Sequence, residues 1–400
     1  MENQSIRNHI LEIYKAAVEA SLPHQNVETA LADAEIYRRI QSSNRLHIVS
    51  IGKAGYSMLL GAVAGLQSIS KKVDSAVLVI PDKPVDLTVF NEVLPTLKVY
   101  YGGHPLPNQD SITAAETVVE SFRQFDQSDF VLLLISGGGS ALFELPEPNL
   151  SLDELRSWYS QLIDSGKPIS EINQLRQSRS LVKGGKLALA TKAQIVQLLL
   201  SDVADDNPSI IASGPAWLVD STNRVLTRIV GSANIALQSA KLKSEQLGYQ
   251  TLTLSSSQEG DSSDIGRYYS KLAKSVSLLK RQSSIAVISC GETTVAVTPN
   301  SGKGGRNMHL ALSAAIELAG DYQSICIASL GTDGRDGPTD AAGAIIDCNT
   351  VNRIKNHGLH AFEHLANFDS YTALLASNDL VKVGLTGTNV GDIMIVLIQK

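Results

Sequence analysis

Six apolar residues in succession, Phe130–Val131–Leu132–Leu133–Leu134–Ile135, run straight into Ser136–Gly137–Gly138–Gly139–Ser140–Ala141. A bulky apolar run of that length suits a strand buried on both faces, as in the middle of a parallel sheet. The abrupt change to small residues ends it in a turn where glycine lets another group approach the backbone. Successive N–H groups in such a turn make a concave seat for an anion, and Ser136 and Ser140 add hydroxyl donors. The plain alternative is a flexible turn between strand and helix. Open parallel sheets bind ligands beyond the carboxyl ends of their strands, which favours the anion seat.

The pattern recurs along the chain. Strand-like runs at 46–51, 76–80, 97–101 and 195–200 alternate with helical patterns. This predicts an α/β fold whose first sheet is mainly parallel, doubly wound and Rossmann-like. Ile6, Ile10, Ile13, Tyr14, Ala17 and Val18 share one face of an N-terminal packing helix, and Ser151 with Asp153 and Glu154 caps another. Residues 220–283 read as mostly helical and polar. New strands are expected at 284–289, 292–297, 324–330 and 392–398. The sequence therefore predicts a larger N-terminal domain over 1–240 and a smaller C-terminal α/β domain over 241–400.

Composition narrows the class. A net charge of -6 over 400 residues argues against a nucleic-acid surface. No apolar run reaches the roughly 18 residues a membrane helix needs, and the first residues lack a signal-peptide pattern. The expectation is a soluble, cytoplasmic protein. Cys290, Cys326 and Cys348 lie far apart without CxxC spacing, so buried thiols are expected rather than disulfides or a zinc site.

Several loops carry candidate chemistry. Lys53 follows the first strand, within Gly52–Lys53–Ala54–Gly55, where a cation at a helix start opposes the helix dipole unless an anion relieves it. Arg176 and Lys183 are either anion ligands or part of a basic surface helix. Asp202, Asp205 and Asp206 follow a strand and either hold Mg²⁺ or cap the next helix. Arg306 follows Gly304–Gly305 and precedes a helix, where a guanidinium can brace a transferring phosphoryl group. His309 reads as a helix residue. Asp333 lies in Gly331–Thr332–Asp333–Gly334, which also offers carboxylates to Mg²⁺ or to substrate hydroxyls. There is no GxxxxGK[ST], which removes Walker-type NTPases; no GxGxxG follows the first strand, so a standard dinucleotide site is not supported, and the missing GxSxG weighs against an α/β-hydrolase.

Taken in order, these stretches resemble the glycerate 2-kinase family with a MOFRL C-terminal domain, whose members have often been labelled hydroxypyruvate reductase. The matching segments are Ser50–Ala54, Gly102–Pro107, Ile135–Ala141, Val182–Lys186, Ser201–Val203, Ile211–Pro215, Gly291–Val295, Gly304–Asn307, Gly331–Gly334, Asp336–Asp340 and Thr386–Val390. The resemblance implies ATP-dependent phosphorylation of D-glycerate, typically at the 2-hydroxyl, with Mg²⁺ and with the site in a cleft between two α/β domains. Lys53 and Arg306 match the family's proposed key lysine and arginine.

On this reading Ser136, Gly137, Gly138, Gly139, Ser140, Arg176, Lys183, Glu292 and Asn307 bind substrate and phosphate. Asp202, Asp205 or Asp333 binds metal, and a homodimer is one candidate assembly. Three departures stand out: Ser178 replaces the family's histidine, His309 a carboxylate, and Ala204 the glycine after Ser-Asp-Val. The rival readings are an NAD(P)-dependent hydroxypyruvate reductase and a non-catalytic nucleotide- or metabolite-binding homologue.

Overall fold

A computed structural model describes residues 2–82, 84–203, 205–218, 223–279, 282–297, 301–320, 322 and 324–400. The chain divides into two units, one formed by Pro23–Ser232 and the other by Met1–Leu22 with Ala233–Lys400.

The Pro23–Ser232 unit holds β1 (Arg45–Ile51), β2 (Ser75–Pro81), β3 (Leu97–Gly102), β4 (Asp129–Ile135), β5 (Gln194–Leu200) and β6 (Val225–Gly231). They form one parallel sheet in the order β3-β2-β1-β4-β5-β6. All seven residues of β4 are buried, as expected for an apolar strand covered on both faces. β1 pairs with β4 from Arg45↔Asp129 to Ile51↔Ile135. That register is pinned at its open end by Arg45, whose Nε and Nη2 donate to the two oxygens of Asp129 at 2.8 and 2.6 Å. Ser151 and Glu154 form a reciprocal capping box, as the sequence predicts.

The second unit holds β7 (Gln250–Thr253), β8 (Ile285–Gly291), β9 (Ile325–Gly331), β10 (Gly343–Asp347), β11 (Leu380–Val381) and β12 (Asp392–Ile398). Their order is β11-β10-β9-β12-β8-β7, and only β7–β8 is parallel. β9 and β12 are buried along their full length. The helix Arg306–Leu318 covers β9 and β10, burying Met308, Leu310, Ala311, Leu312, Ala314 and Leu318. The three cysteines are free and buried, as expected.

The structure departs from the sequence reading in three places. The N-terminal helix Glu2–Glu19 buries the expected face, but in the second unit. Arg7 donates to Asp347 and Asp379 at 2.8 and 2.6 Å, Tyr14 Oη donates to Gly331 O at 2.8 Å, and Lys243 pairs with Glu12 at 2.7 Å. The unit boundary therefore falls at 232/233 with residues 1–22 crossing over, not at 240/241. Helical periodicity names the face to be buried and says nothing of what buries it.

Second, 292–297 is no strand; Thr294 makes only an isolated parallel bridge to Asp261. Third, β6, β7, β10 and the two-residue β11 were not expected. β6 and β7 are half-exposed edge strands whose polar residues hide the alternation, and β10 is a short Gly-Ala-Ile-Ile-Asp segment. Among the described residues, no helix is long and apolar enough to cross a membrane.

Candidate active site

After β1 the first sheet grows one way, and after β4 it grows the other, so the loops following these strands diverge and leave a crevice. Hydrogen bonds sew the two loops together at its floor. Ser136 N donates to Ile51 O at 2.9 Å, Lys53 N to Gly137 O at 2.9 Å, and Ala54 N to Ser136 Oγ at 3.0 Å. Gly52 sits at φ +123°, and a Cβ there would stand 2.2 Å from Ser136 Oγ, so only glycine fits. Gly138, at φ +82°, starts the short helix Gly139–Leu142.

Lys53 is exposed and runs beside this turn; a Cβ at Gly138 would stand 3.2 Å from Lys53 Cε and 3.0 Å from His104 Cδ2. Its ammonium has no hydrogen-bond or ion-pair partner among the described residues. A lone cation beside a glycine turn at a helix start is what an incoming anion completes.

β5 delivers Asp202 to the other side of the turn. Its carboxylate is exposed and lies against Gly137, where a Cβ would stand 2.1 Å from Asp202 Oδ2. Asp205 Oδ1 accepts from Asn207 N at 3.3 Å, and Asp206 Oδ2 accepts from Ser232 Oγ at 2.8 Å. Asp205 serves its own loop, and Asp206 ties that loop to the end of β6. Among the described residues, no group of three or more His, Cys, Asp or Glu side chains could hold a metal ion. Ala204 lies outside the described residues.

A polar network supports Ser140. Its Oγ lies 2.8 Å from Ser213 Oγ, which donates to Asn173 Oδ1 at 3.0 Å. Arg176 belongs to the same helix as Asn173, Ile169–Arg179. Its guanidinium carbon lies 4.6 Å from the centroid of the Tyr159 ring, and the residue is 8% exposed. Nε has no partner, and the guanidinium makes no hydrogen bond or ion pair among the described residues. A charge so buried is costly until an anion meets it.

Lys183 corrects the sequence reading. It is 1% exposed, and its Nζ donates to Glu144 Oε2 at 2.8 Å and Phe143 O at 3.1 Å. Tyr159 Oη donates to the same Glu144 oxygen and to Ser140 O. Lys183 is thus a sealed internal ion pair, not a substrate ligand. Burial lowers its pKa, and Glu144 works against that shift.

In the second unit the helix Arg306–Leu318 begins with Arg306 itself. Arg306 Nε donates to Asp392 Oδ2 at 2.6 Å, Nη2 to Asp392 Oδ1 at 3.2 Å, and Nη1 to Glu292. Burial opposes the charge, but the bonds and charges of Asp392 and then Glu292 outweigh it and raise the arginine's pKa. Asp392 is buried, whereas the Glu292 side chain is 64% exposed. Arg306 and Glu292 line an open hollow of about 590 Å³ together with Glu259, Gly260, Thr293 and Thr294.

The start of that helix is capped from within. Asp336 accepts from Asn307 N at 3.1 Å and Met308 N at 2.7 Å. Burial pushes the Asp336 carboxyl up to about 7, against the pull of these two N–H groups. Asn307 is 1% exposed and accepts from Ser329 Oγ at 2.5 Å, so it positions the loop instead of facing a ligand. Asp333 Oδ1 accepts from Arg335 N at 2.9 Å and shapes its own turn.

Sequence reasoning missed Asp392, Asp336 as a cap and Tyr159. Only Asp336 left a signal, as one acid too many for a simple glycine turn. His309 is a buried helix residue, as expected.

Residues 9–244 match the family described as Domain of unknown function (DUF4147), and residues 285–392 match the MOFRL family. The chain is 35% identical to the D-glycerate 2-kinase of Thermotoga maritima, with 99% of each chain covered. It is 30% identical to the glycerate 2-kinase of Pyrococcus horikoshii, covering 99% of this chain and 98% of that one. The crystal structure of glycerate kinase from Thermotoga maritima superposes with a TM-score of 0.85 at 34% identity, covering 99% of this chain and 100% of that chain. The sheet order and glycine turns thus agree with full-length likeness, and the chain belongs to the glycerate 2-kinase family, with a DUF4147 region followed by a MOFRL region.

Proposed function

We propose that this chain is a glycerate 2-kinase that moves the γ-phosphoryl group of ATP to the 2-hydroxyl of D-glycerate. The observation that carries this reading is Lys53, unpaired among the described residues, beside the Ser136–Ser140 glycine turn at the reversal point of the first sheet. In the Pro23–Ser232 unit, backbone N–H groups of that turn and the Lys53 ammonium hold an anionic group. Arg176, buried and without a hydrogen-bond or ion-pair partner among the described residues, takes the carboxylate of the acceptor. In the second unit, Arg306 is held rigid by Asp392 and releases Nη1 from the exposed Glu292 to meet a phosphoryl oxygen. Such transfer relies on positioning and on charges aimed at the equatorial oxygens.

The donor set fits Mg²⁺. An exposed carboxylate next to an anion seat repels the ligand unless a cation joins them, and Mg²⁺ uses one or two carboxylates with phosphates and water. Asp202 is the protein ligand in this reading. When bound, the ion neutralises charge on the phosphate oxygens.

The testing experiment measures ADP release from Mg·ATP with and without D-glycerate, followed by NMR of the product. D-glycerate-dependent ADP and a 2-phosphoglycerate signal are expected. Absence of D-glycerate-dependent ADP overturns the reading. The strand order alone, shared with dinucleotide-binding sheets, favours a hydroxypyruvate reductase. NADH oxidation with hydroxypyruvate and no ATP would support that rival.

A further inference from the structure

The second unit has another hollow, of about 270 Å³, whose lining includes Asp261, Ser263, His309, Phe362 and Phe368. One wall is flat and fixed. The His309 ring lies parallel to Phe368, with centroids 5.1 Å apart and planes 15° from each other. His309 is 4% exposed, its Nε2 lies 2.8 Å from Ser263 Oγ, and its Nδ1 has no partner among the described residues. Burial lowers its pKa, against the opposing pull of Asp261. Phe362 contributes a ring that is 71% exposed, an unusual position for a large aromatic residue. The edge is polar. Asp261 Oδ1 caps its own helix by accepting from Ser263 N and Asp264 N at 2.9 and 3.2 Å, and no hydrogen bond among the described residues takes Oδ2.

This hollow adjoins the one that Arg306 lines. Asp261 and Thr294 pair in a parallel bridge, Thr294 N donates to Gly260 O at 2.9 Å, and Gly260 and Thr294 line the Arg306 hollow. Arg306 and His309 stand one turn apart on the same helix. The two volumes together have the size of a small-molecule site, roughly 300–1,000 Å³. One part offers a guanidinium, the other flat apolar walls with a carboxylate acceptor at the edge.

We propose that the His309–Phe368–Phe362 hollow seats the adenine base of ATP, with the phosphates directed toward Arg306. The proposal rests on the kinase reading above and adds which unit takes the nucleotide. The base stacks on Phe362, and its exocyclic amine donates to Asp261 Oδ2.

Isothermal titration of the full chain with Mg·ATP, Mg·ITP and Mg-tripolyphosphate tests it. Phe362→Ala removes only an exposed ring. It is expected to weaken ATP binding at least about tenfold, the scale of base–aromatic stacking. It should leave tripolyphosphate binding unchanged, and Phe362→Trp should restore ATP affinity. ITP, lacking the amine, should bind the wild type more weakly than ATP. Wild-type ATP affinity in Phe362→Ala, an equal loss for tripolyphosphate, or equal binding of ATP and ITP overturns the base site while leaving the kinase reading intact. Failure of the wild type to bind ATP at all overturns both.

Discussion

The carboxylate of Asp202 lies so close to Gly137 that a single added methyl carbon would stand 2.1 Å from its Oδ2. In the kinase reading proposed above, this contact sets a negative group beside a turn that receives negative charge, and a cation would reconcile the two. Asp202→Ala removes the ligand, and Gly137→Ala displaces it. Each is expected to raise the Mg²⁺ concentration for half-maximal activity by about tenfold or more. Magnesium titration of the initial rate checks this, and an unchanged curve in both variants would exclude Asp202.

Lys53 and Arg306 are expected to act on the rate, not only on binding. Lys53→Met and Arg306→Lys should each lower kcat by about 10²-fold or more, the size of a lost electrostatic donor in a transition state. Lysine at 306 keeps the charge but cannot reproduce the fork onto Asp392. Steady-state kinetics on protein verified as folded tests both, and a rise in KM alone would assign the residues to binding.

Lys183 and Glu144 make an internal pair in which both side chains are 1% exposed. Lys183→Met strands the Glu144 charge and should cost about 3–5 kcal/mol in urea unfolding. Replacing both by apolar residues of similar volume should recover much of that loss. A single variant as stable as wild type would mean that the pair does not hold this region together.

Asp336 makes stability pH-dependent. Its folded pKa of about 7 lies above its ordinary 3.8, so between these values the folded protein retains a proton that the unfolded chain has released. The Asp336 contribution therefore falls as pH rises from about 4 to about 7 and is lost above that. Asp336→Asn should flatten this slope while giving up one of the two helix-start bonds, at about 1 kcal/mol. Unfolding midpoints across that range decide the matter, and an unaltered slope in the variant would locate the dependence elsewhere.

Arg7 ties the first helix to the second unit through Asp347 and Asp379, whose side chains are 2% and 1% exposed. Arg353 holds the same two carboxylates at 2.9 and 2.7 Å. Arg7→Ala leaves them with a single cation and is expected to lower stability by about 1–3 kcal/mol. Hydrogen exchange should then show faster opening of Glu2–Glu19. Wild-type protection would mean that Ile6, Ile10 and Ile13 suffice to dock it.

The sequence by itself determined the elements whose reasons are local. The Phe130–Ile135 run had to be a buried strand, Ser136–Ser140 had to turn, and Ile6 through Val18 had to form one apolar helical face. Lys53 and Arg306 stood out as candidates because each follows glycines at the end of a strand or the start of a helix, where backbone geometry restricts what a charge can do.

Tertiary structure alone decided who meets whom. Asp392 reads as an ordinary acid at the start of a strand, yet its place on β12 sets it under Arg306. Lys183 reads as an anion ligand or a surface cation, yet Glu144, 39 residues earlier, seals it inside. Sequence period fixes which way a side chain faces, but the partner across the sheet or over the turn comes from chain crossings of tens to hundreds of residues. The energy of a charge depends on that partner and on its burial, so its role is set only when the chain has folded.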